Sequence, residues 1–178
     1  NPKSYAADLI EREGGIESCV KPFTPAIDVV GPYKGRGNDN EWGEAYAKIL
    51  NRIMNADMAA IPACYDQAVH LELPGGQTAH GIDAADRFWM GLRASFPNAT
   101  FIIEHQIGRD DDAMPPRAAI RWGLHGRHEG WGTFGVPTDA DVYVMGVSHA
   151  EFGQRGIRRE YVIYDETAVW KQILMAMG

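Results

Sequence analysis

From residue 100 to residue 164 the sequence runs strand after strand with no helix between. Four segments have strand character: 100–106, 117–128, 141–152 and 157–164. Parallel neighbours need a long crossover, usually a helix, whereas successive strands on short connectors pair antiparallel. This stretch therefore excludes an alternating βα architecture. It points to an α+β fold with an antiparallel sheet.

What precedes the strands is mostly helical. Over residues 40–54, Trp42, Tyr46, Ile49, Leu50 and Ile53 recur at helical spacing and form one apolar stripe. Asp57 is placed to cap a short helix at Met58-Ala59-Ala60. Residues 67–73 alternate as a strand, with Val69, Leu71 and Leu73 on one face and His70 and Glu72 on the other. Pro74-Gly75-Gly76 ends it. A long helix is expected over 82–96, carrying Ile82, Ala85, Trp89, Leu92 and Phe96 along one side, and Pro97 stops it. A last helix is expected over 166–175. Residues 1–38 read as an extension or arm with a short helix at 5–13, because Pro22, Pro25, Gly31, Pro32, Gly35 and Gly37 punctuate the rest too densely. The domain proper is then 39–178.

With 178 residues the chain suits one such domain with a real core. Its net charge is −7 and its basic residues form no run, so nucleic acid is not the expected partner. No apolar stretch is long enough to span a bilayer. Cys19 and Cys64 read as two free thiols in a reducing cytoplasm. In that setting the acceptor-like Asn98-Ala99-Thr100 carries no glycan. No Gly-rich loop joins a strand to a helix, so nucleotide-binding folds lack support. His125 and His128 fall on opposite faces of one strand, and His80 sits in a loop. The histidines thus give no metal spacing, and no metal or cofactor is expected.

Three segments carry a family resemblance: GIDAADRFWMGLRASFPNATF at 81–101, RWGLHGRHEGWGTFGVPTDADVYVMGVS at 121–148 and GIRREYVIYDETAVWKQI at 156–173. With the helix near Trp42, the chain from about residue 41 onward resembles the SnoaL-like polyketide cyclases of the NTF2-like superfamily. The resemblance implies a cone, in which a curved antiparallel sheet wraps a long helix and leaves an apolar pocket at its open end. It also implies homodimers paired across the sheet. The chemistry it implies is ring closure by intramolecular aldol condensation without metal or cofactor. In that chemistry an aspartate on the last strand is helped by a histidine on the strand before it. Here the aspartate position falls on Val162, and the histidine position falls on Ser148, beside His149. Valine cannot move a proton, so the family's mechanism cannot be carried over unchanged.

Alternation over 157–164 puts Arg158, Glu160, Val162 and Tyr164 on one face. Since Val162 holds the family's catalytic position, that face is expected to line the pocket. Glu160 is then the candidate base, with His128 and His70 as candidate partners and Arg158 placed to steady an anion. Tyr164 flanks the same position. Ser148 is at most a weak hydrogen-bond donor, and His149 reaches the ligand only if the strand bulges. Asp165 either caps the last helix or holds a substrate hydroxyl at the mouth. Trp42, Trp89, Trp122 and Trp131 offer aromatic lining, or plain core in the case of Trp42 and Trp89, while Trp170 packs the final helix. The leading expectation is a cofactor-free cyclase or isomerase, in the lyase or isomerase class, acting on a small hydrophobic or aromatic carbonyl compound. A hydrolase of the epoxide-opening type and a non-catalytic binding protein are the alternatives.

Overall fold

The computed structural model describes residues 37–178. The extension expected over 1–38 lies outside the described residues except for Gly37 and Asn38, as do its short helix at 5–13 and Cys19. The elements run in the order α1 (Glu41–Met54), α2 (Ala60–Cys64), β1 (Tyr65–Leu73), β2 (Gln77–His80) and α3 (Ile82–Ser95). Then come β3 (Thr100–Asp111), β4 (Met114–Arg127), β5 (Asp141–Gly153), β6 (Gly156–Tyr164) and α4 (Glu166–Ala176). The fold is α+β, with a six-stranded sheet in the order β2-β1-β6-β5-β4-β3.

Two expectations about the sheet need correction. The sheet is mixed rather than antiparallel: β1 runs parallel to β6, with Leu71 opposite Glu160. Hairpin rules fix only neighbours in sequence, and these two strands are first and last. The sheet also has a strand where a loop was expected. Pro74-Gly75-Gly76 ends β1 as expected, but the chain does not leave the sheet there. It forms a tight reversal into β2, with Gly75 at φ 75° and Gly76 at φ 73°. His80 therefore stands on β2, opposite His70. The β3–β4 hairpin is also longer than expected, since Pro115 and Pro116 lie inside β4 instead of ahead of it.

The three longer helices form where the pattern predicts. Asn40 caps α1 by accepting from the Trp42 N–H at 3.1 Å. Tyr46, Leu50 and Ile53 face the core with no exposed surface. Asp57 does not cap α2 as expected: it accepts from Ala59 N–H at 3.0 Å in the turn before the helix, which starts at Ala60 instead of Met58 and has Pro62 in its first turn at little cost. α3 buries Ala85, Trp89 and Leu92 completely. It opens on Gly81 at φ 86°, a conformation that suits glycine.

One face of the sheet meets these helices. Ala118, Ile120, Trp122 and Leu124 of β4 lie opposite Ala150, Ser148, Gly146 and Val144 of β5, and all are buried. On β6 the pattern slips. A bulge at Glu151 and Phe152 sets Phe152 opposite Ile157 but Glu151 opposite Arg159. Ile157 takes the core-side position and Arg158 is turned out to solvent. Glu160, Val162 and Tyr164 then resume the buried face.

Two carboxamides extend the ladder along stretches of strand that no other strand flanks on one side. Asn38 donates to Gly108 O and accepts from Gly108 N–H, both at 2.9 Å, along the outer edge of β3. Gln172 of α4 does the same for Tyr143 of β5, accepting from its N–H at 2.9 Å and donating to its carbonyl at 3.0 Å. The amide group copies the donor and acceptor of a strand residue.

Gly146 has a specific packing role. It lies opposite Trp122, and a Cβ there would collide with the indole ring. Gly146→Ala is expected to destabilise the fold by about 1–3 kcal/mol through overpacking. Urea denaturation should show a lower midpoint with an unchanged slope. An unchanged midpoint would mean that Trp122 is free to move aside.

Candidate functional site

Glu160 has no exposed surface. A bare carboxylate is costly there, so its oxygens must find donors. Tyr46 of α1 donates to Oε1 at 2.7 Å and Tyr65 of β1 donates to the same oxygen at 2.9 Å. Trp89 of α3 donates its indole N–H to Oε2 at 3.1 Å. Helix periodicity puts Tyr46 and Trp89 on the core-facing stripes of their helices, and β1 begins with Tyr65 turned inward. Three elements thus converge on the one carboxyl group that β6 carries.

Opposing influences set its acidity. Burial raises the Glu160 carboxyl to about 7, while the hydrogen bonds from Tyr46, Trp89 and Tyr65 pull it down. The Tyr46 and Tyr65 phenols are held well above their ordinary value by burial and by the charge of Glu160 beside them. Ser148 acts on the Tyr46 phenol in the opposite sense. Ser148 is itself fully buried and accepts from the Trp122 indole N–H at 2.8 Å.

Aromatic rings adjoin this polar cluster. Trp122 lies 6.3 Å from Trp89 and 6.3 Å from Tyr164, centroid to centroid. Phe101 lies 5.8 Å from Trp122, and Phe88 lies 6.3 Å from Tyr164. Trp122 and Tyr164 are buried, whereas Phe88 and Phe101 are only half-buried. The Tyr164 hydroxyl donates to Glu166 at 3.3 Å, and burial raises its phenol. Val162 is buried between Glu160 and Tyr164 on β6, opposite Ser148.

The structure brings together Glu160, Trp89, Trp122, Ser148, Val162 and Tyr164. It does not bring the two expected histidine partners to Glu160. His70 is opposite Arg159, so it projects to the other face of the sheet. There it meets His80 at 2.9 Å and Glu72 at 3.2 Å. His128 is buried in the loop after β4, with Nδ1 3.0 Å from Thr138 Oγ1. Burial lowers its pKa, and Nε2 has no hydrogen-bond partner. Ala118 shares a row with Ala150 and Glu160, and His128 lies ten residues further on, roughly 30 Å of strand.

The other expected residues are also apart from the carboxyl. Arg158 is exposed at the bulge. His149 lies on the outer face, 5.7 Å from the Tyr161 ring, and burial lowers its pKa. Asp165 is exposed and caps α4, accepting from Ala168 N–H at 2.9 Å. Trp42 packs 4.8 Å from Phe152 and donates to Asp110 at 3.2 Å. Phe152 is six residues along β5 from Gly146, the partner of Trp122, which is roughly 20 Å. The two tryptophans therefore share no cleft. Trp131 is 72% exposed, and Trp170 packs on Phe134 at 5.3 Å.

Tyr46 and Tyr65 went unassigned as site residues in the sequence. The signal for Tyr46 was present: a tyrosine on a buried stripe brings a hydroxyl that needs a partner. For Tyr65 no pattern marked the start of β1. Among the described residues no group of three or more metal-ligating side chains could hold a metal ion. No helix among them is long and apolar enough to cross a membrane.

The fold has many solved counterparts. A candidate polyketide cyclase from Acidithiobacillus ferrooxidans superposes with a TM-score of 0.63 at 15% identity, covering 78% of this chain and 97% of that one. A candidate SnoaL-like polyketide cyclase from Jannaschia sp. CCS1 gives 0.61 at 15%, covering 76% and 96%. AclR, a candidate hydroxylase from Streptomyces galilaeus, gives 0.61 at 14%, covering 75% and 84%. At such identities the likeness speaks for the fold alone. A search of curated proteins found no match. The sequence model of the SnoaL-like domain matches residues 44–160, well over half of the chain.

The acidity of Glu160 makes a measurable prediction. Between the ordinary carboxyl value of 4.5 and about 7, the folded chain holds a proton that the unfolded chain releases. Stability contributed by this group is therefore lost as pH rises through that window, by on the order of 3 kcal/mol. Thermal melts should show wild type losing stability relative to Glu160→Gln as pH rises from 4.5 to 7. A constant difference between the two would show that the carboxyl does not titrate there.

Proposed function

Given that the chain belongs to the SnoaL-like family, we propose that it is a cofactor-free cyclase or isomerase acting by general acid/base chemistry on a small hydrophobic carbonyl compound. The observation that carries this reading is Glu160. A carboxyl raised to about 7 can both take and return a proton near neutral pH. It stands on β6 two residues from Val162, where the resemblance implies an aspartate. Glu160 removes a proton beside the substrate carbonyl. The enolate then adds within the same molecule, or is reprotonated elsewhere. Phe88 and Phe101, half-buried against Tyr164 and Trp122, offer an aromatic surface for the substrate at the mouth of the implied cone. The same carboxyl could activate water, which keeps epoxide opening as the nearest alternative chemistry.

One feature favours a second reading, a non-catalytic binding protein for a hydrophobic ligand. Glu160 is fully enclosed and saturated by donors, as a structural anchor would be. Turnover separates the two. In the enzyme reading Glu160→Gln loses turnover of a carbonyl substrate by about 10²–10⁴-fold, while the fold, followed by circular dichroism, persists. Full activity in that variant removes Glu160 as the base. Binding of an apolar compound with no turnover in wild type supports the second reading.

A homodimer paired through the outer face of the sheet, in the cytoplasm, belongs to the same proposal. Val147 and Ile163 face each other there, both exposed, with Met145 opposite Gly123 and Gly123 opposite Ile102. An exposed patch of that kind is expected to be covered. Ile163→Asp is expected to give a monomer in sedimentation velocity at a concentration where wild type is dimeric. A dimer that survives the charge lies elsewhere.

A further inference from the structure

We propose that His70 and His80 form a two-histidine site for one divalent cation of tetragonal preference, copper(II) first, on the outer face of the sheet. The two residues stand directly opposite each other on β1 and β2, where facing side chains of an antiparallel pair come close. His70 Nδ1 lies 2.9 Å from His80 Nε2, and the rings stand edge to face with centroids 4.8 Å apart. Glu72 follows on the same face of β1, with Oε1 3.2 Å from the other ring nitrogen of His70. The site lies on the opposite side of the sheet from Glu160 and does not depend on the reading of that carboxyl.

The contacts decide where the hydrogens sit. A carboxylate only accepts, so Glu72 keeps the hydrogen of the neutral His70 ring on Nε2. The lone pair of His70 is then on Nδ1, facing His80. As the rings stand, His80 donates Nε2–H to that lone pair. Moving the His80 hydrogen to its own Nδ1 leaves two neutral rings with two lone pairs side by side, and no net proton is released. A carboxylate on the far nitrogen is also how proteins orient an imidazole that binds a metal, and it makes the near nitrogen a better ligand.

The spacing selects the ion. Nitrogens held about 2.0–2.1 Å from one ion are roughly 2.9 Å apart when they meet it at a right angle and roughly 3.4 Å apart at the tetrahedral angle. The 2.9 Å between these rings fits the right angle, which is the geometry of copper(II) and nickel(II) rather than zinc. The ion lies beside the line joining the nitrogens, so each ring turns a little off that line, through the broad χ2 torsion of histidine. No third ligating side chain joins the pair among the described residues. The side chains of His70 and Glu72 are 29% and 51% exposed and His80 is exposed as well, so water completes the coordination. Arg159, opposite His70 on β6, is a cation on the same face, but Glu151 pairs with it at 3.6 Å from its far side. A bound ion ties β2, the four-residue margin of the sheet, to β1.

The test titrates the full chain with copper(II) alone, in a buffer that does not bind it, by calorimetry, and reads the ligands by electron paramagnetic resonance. The tightest ion is expected to give a tetragonal spectrum coupled to two imidazole nitrogens and to raise the melting midpoint. His70→Ala and His80→Ala should each weaken its binding by about tenfold or more and remove one nitrogen from the spectrum. If His70→Ala fails to fold, His80→Ala on the marginal strand gives the same reading. Glu72→Ala leaves both ligands in place and should weaken binding by about tenfold, with the melt of the ion-free protein unchanged. His125→Ala on β4 should change nothing. Wild-type affinity and a two-nitrogen spectrum in His80→Ala, or loss of binding in His125→Ala, mean an adventitious ion only and overturn the site. Wild-type affinity in Glu72→Ala overturns the orienting role given to that carboxylate.

Discussion

The carboxyl group of Glu160 is the constraint around which the interior is arranged. An acid with no access to water must be matched by donors, and each donor must arrive at bonding distance. Glu160 takes one from α1, one from β1 and one from α3. Those three elements are thereby tied to β6 at a single point. Apolar packing alone would tolerate small slides of α1 or α3 across the sheet, since it is not directional. Three hydrogen bonds to two oxygens do not. Even the isosteric glutamine disturbs the arrangement, because one of its two positions becomes a donor that faces the hydroxyls or the Trp89 N–H.

Much of this was legible from residue order. Helical stripes located α1 and α3, and the run of strands without helices gave the α+β class. Alternation put Glu160, Val162 and Tyr164 on the buried face. The same rule misplaced Arg158, because a bulge at Glu151 and Phe152 shifts the count by one residue and no residue type announces it. The parallel pairing of β1 with β6 was hidden for a different reason: it depends on contacts between strands nearly a hundred residues apart. The short β2 was hidden by its own turn, since Pro-Gly-Gly reads as an end whether the chain leaves or doubles back.

The candidate site was legible in its acid but not in its donors. The histidines drew attention as proton carriers, yet His70 is turned to the other face and His128 lies in a distant loop. Tyrosines and a tryptophan do the holding. Their rings satisfy a hydrophobic pattern so well that the single polar atom on each is easily overlooked. On the reading proposed for Glu160, Val162 marks less the loss of a carboxylate than a change in its place along β6. The outward carboxylates, such as Glu151 beside Arg159 at 3.6 Å, belong to the other face.

The two carboxamides bear on how the protein avoids unwanted growth. A strand at the margin of a sheet offers a free ladder to any other chain, which is the first step of fibre formation. At the β3 margin Asn38 occupies the ladder of Gly108, and the backbone at Gly37 and Asn38 takes that of Gln106. Beyond it, Asp111 draws in Arg109 and Arg117. The opposite margin, β2, is four residues long. Gln172 closes the stub of β5 that β6 leaves uncovered. With its margins spent in this way, the sheet of the described residues is left its broad outer surface through which to meet another molecule.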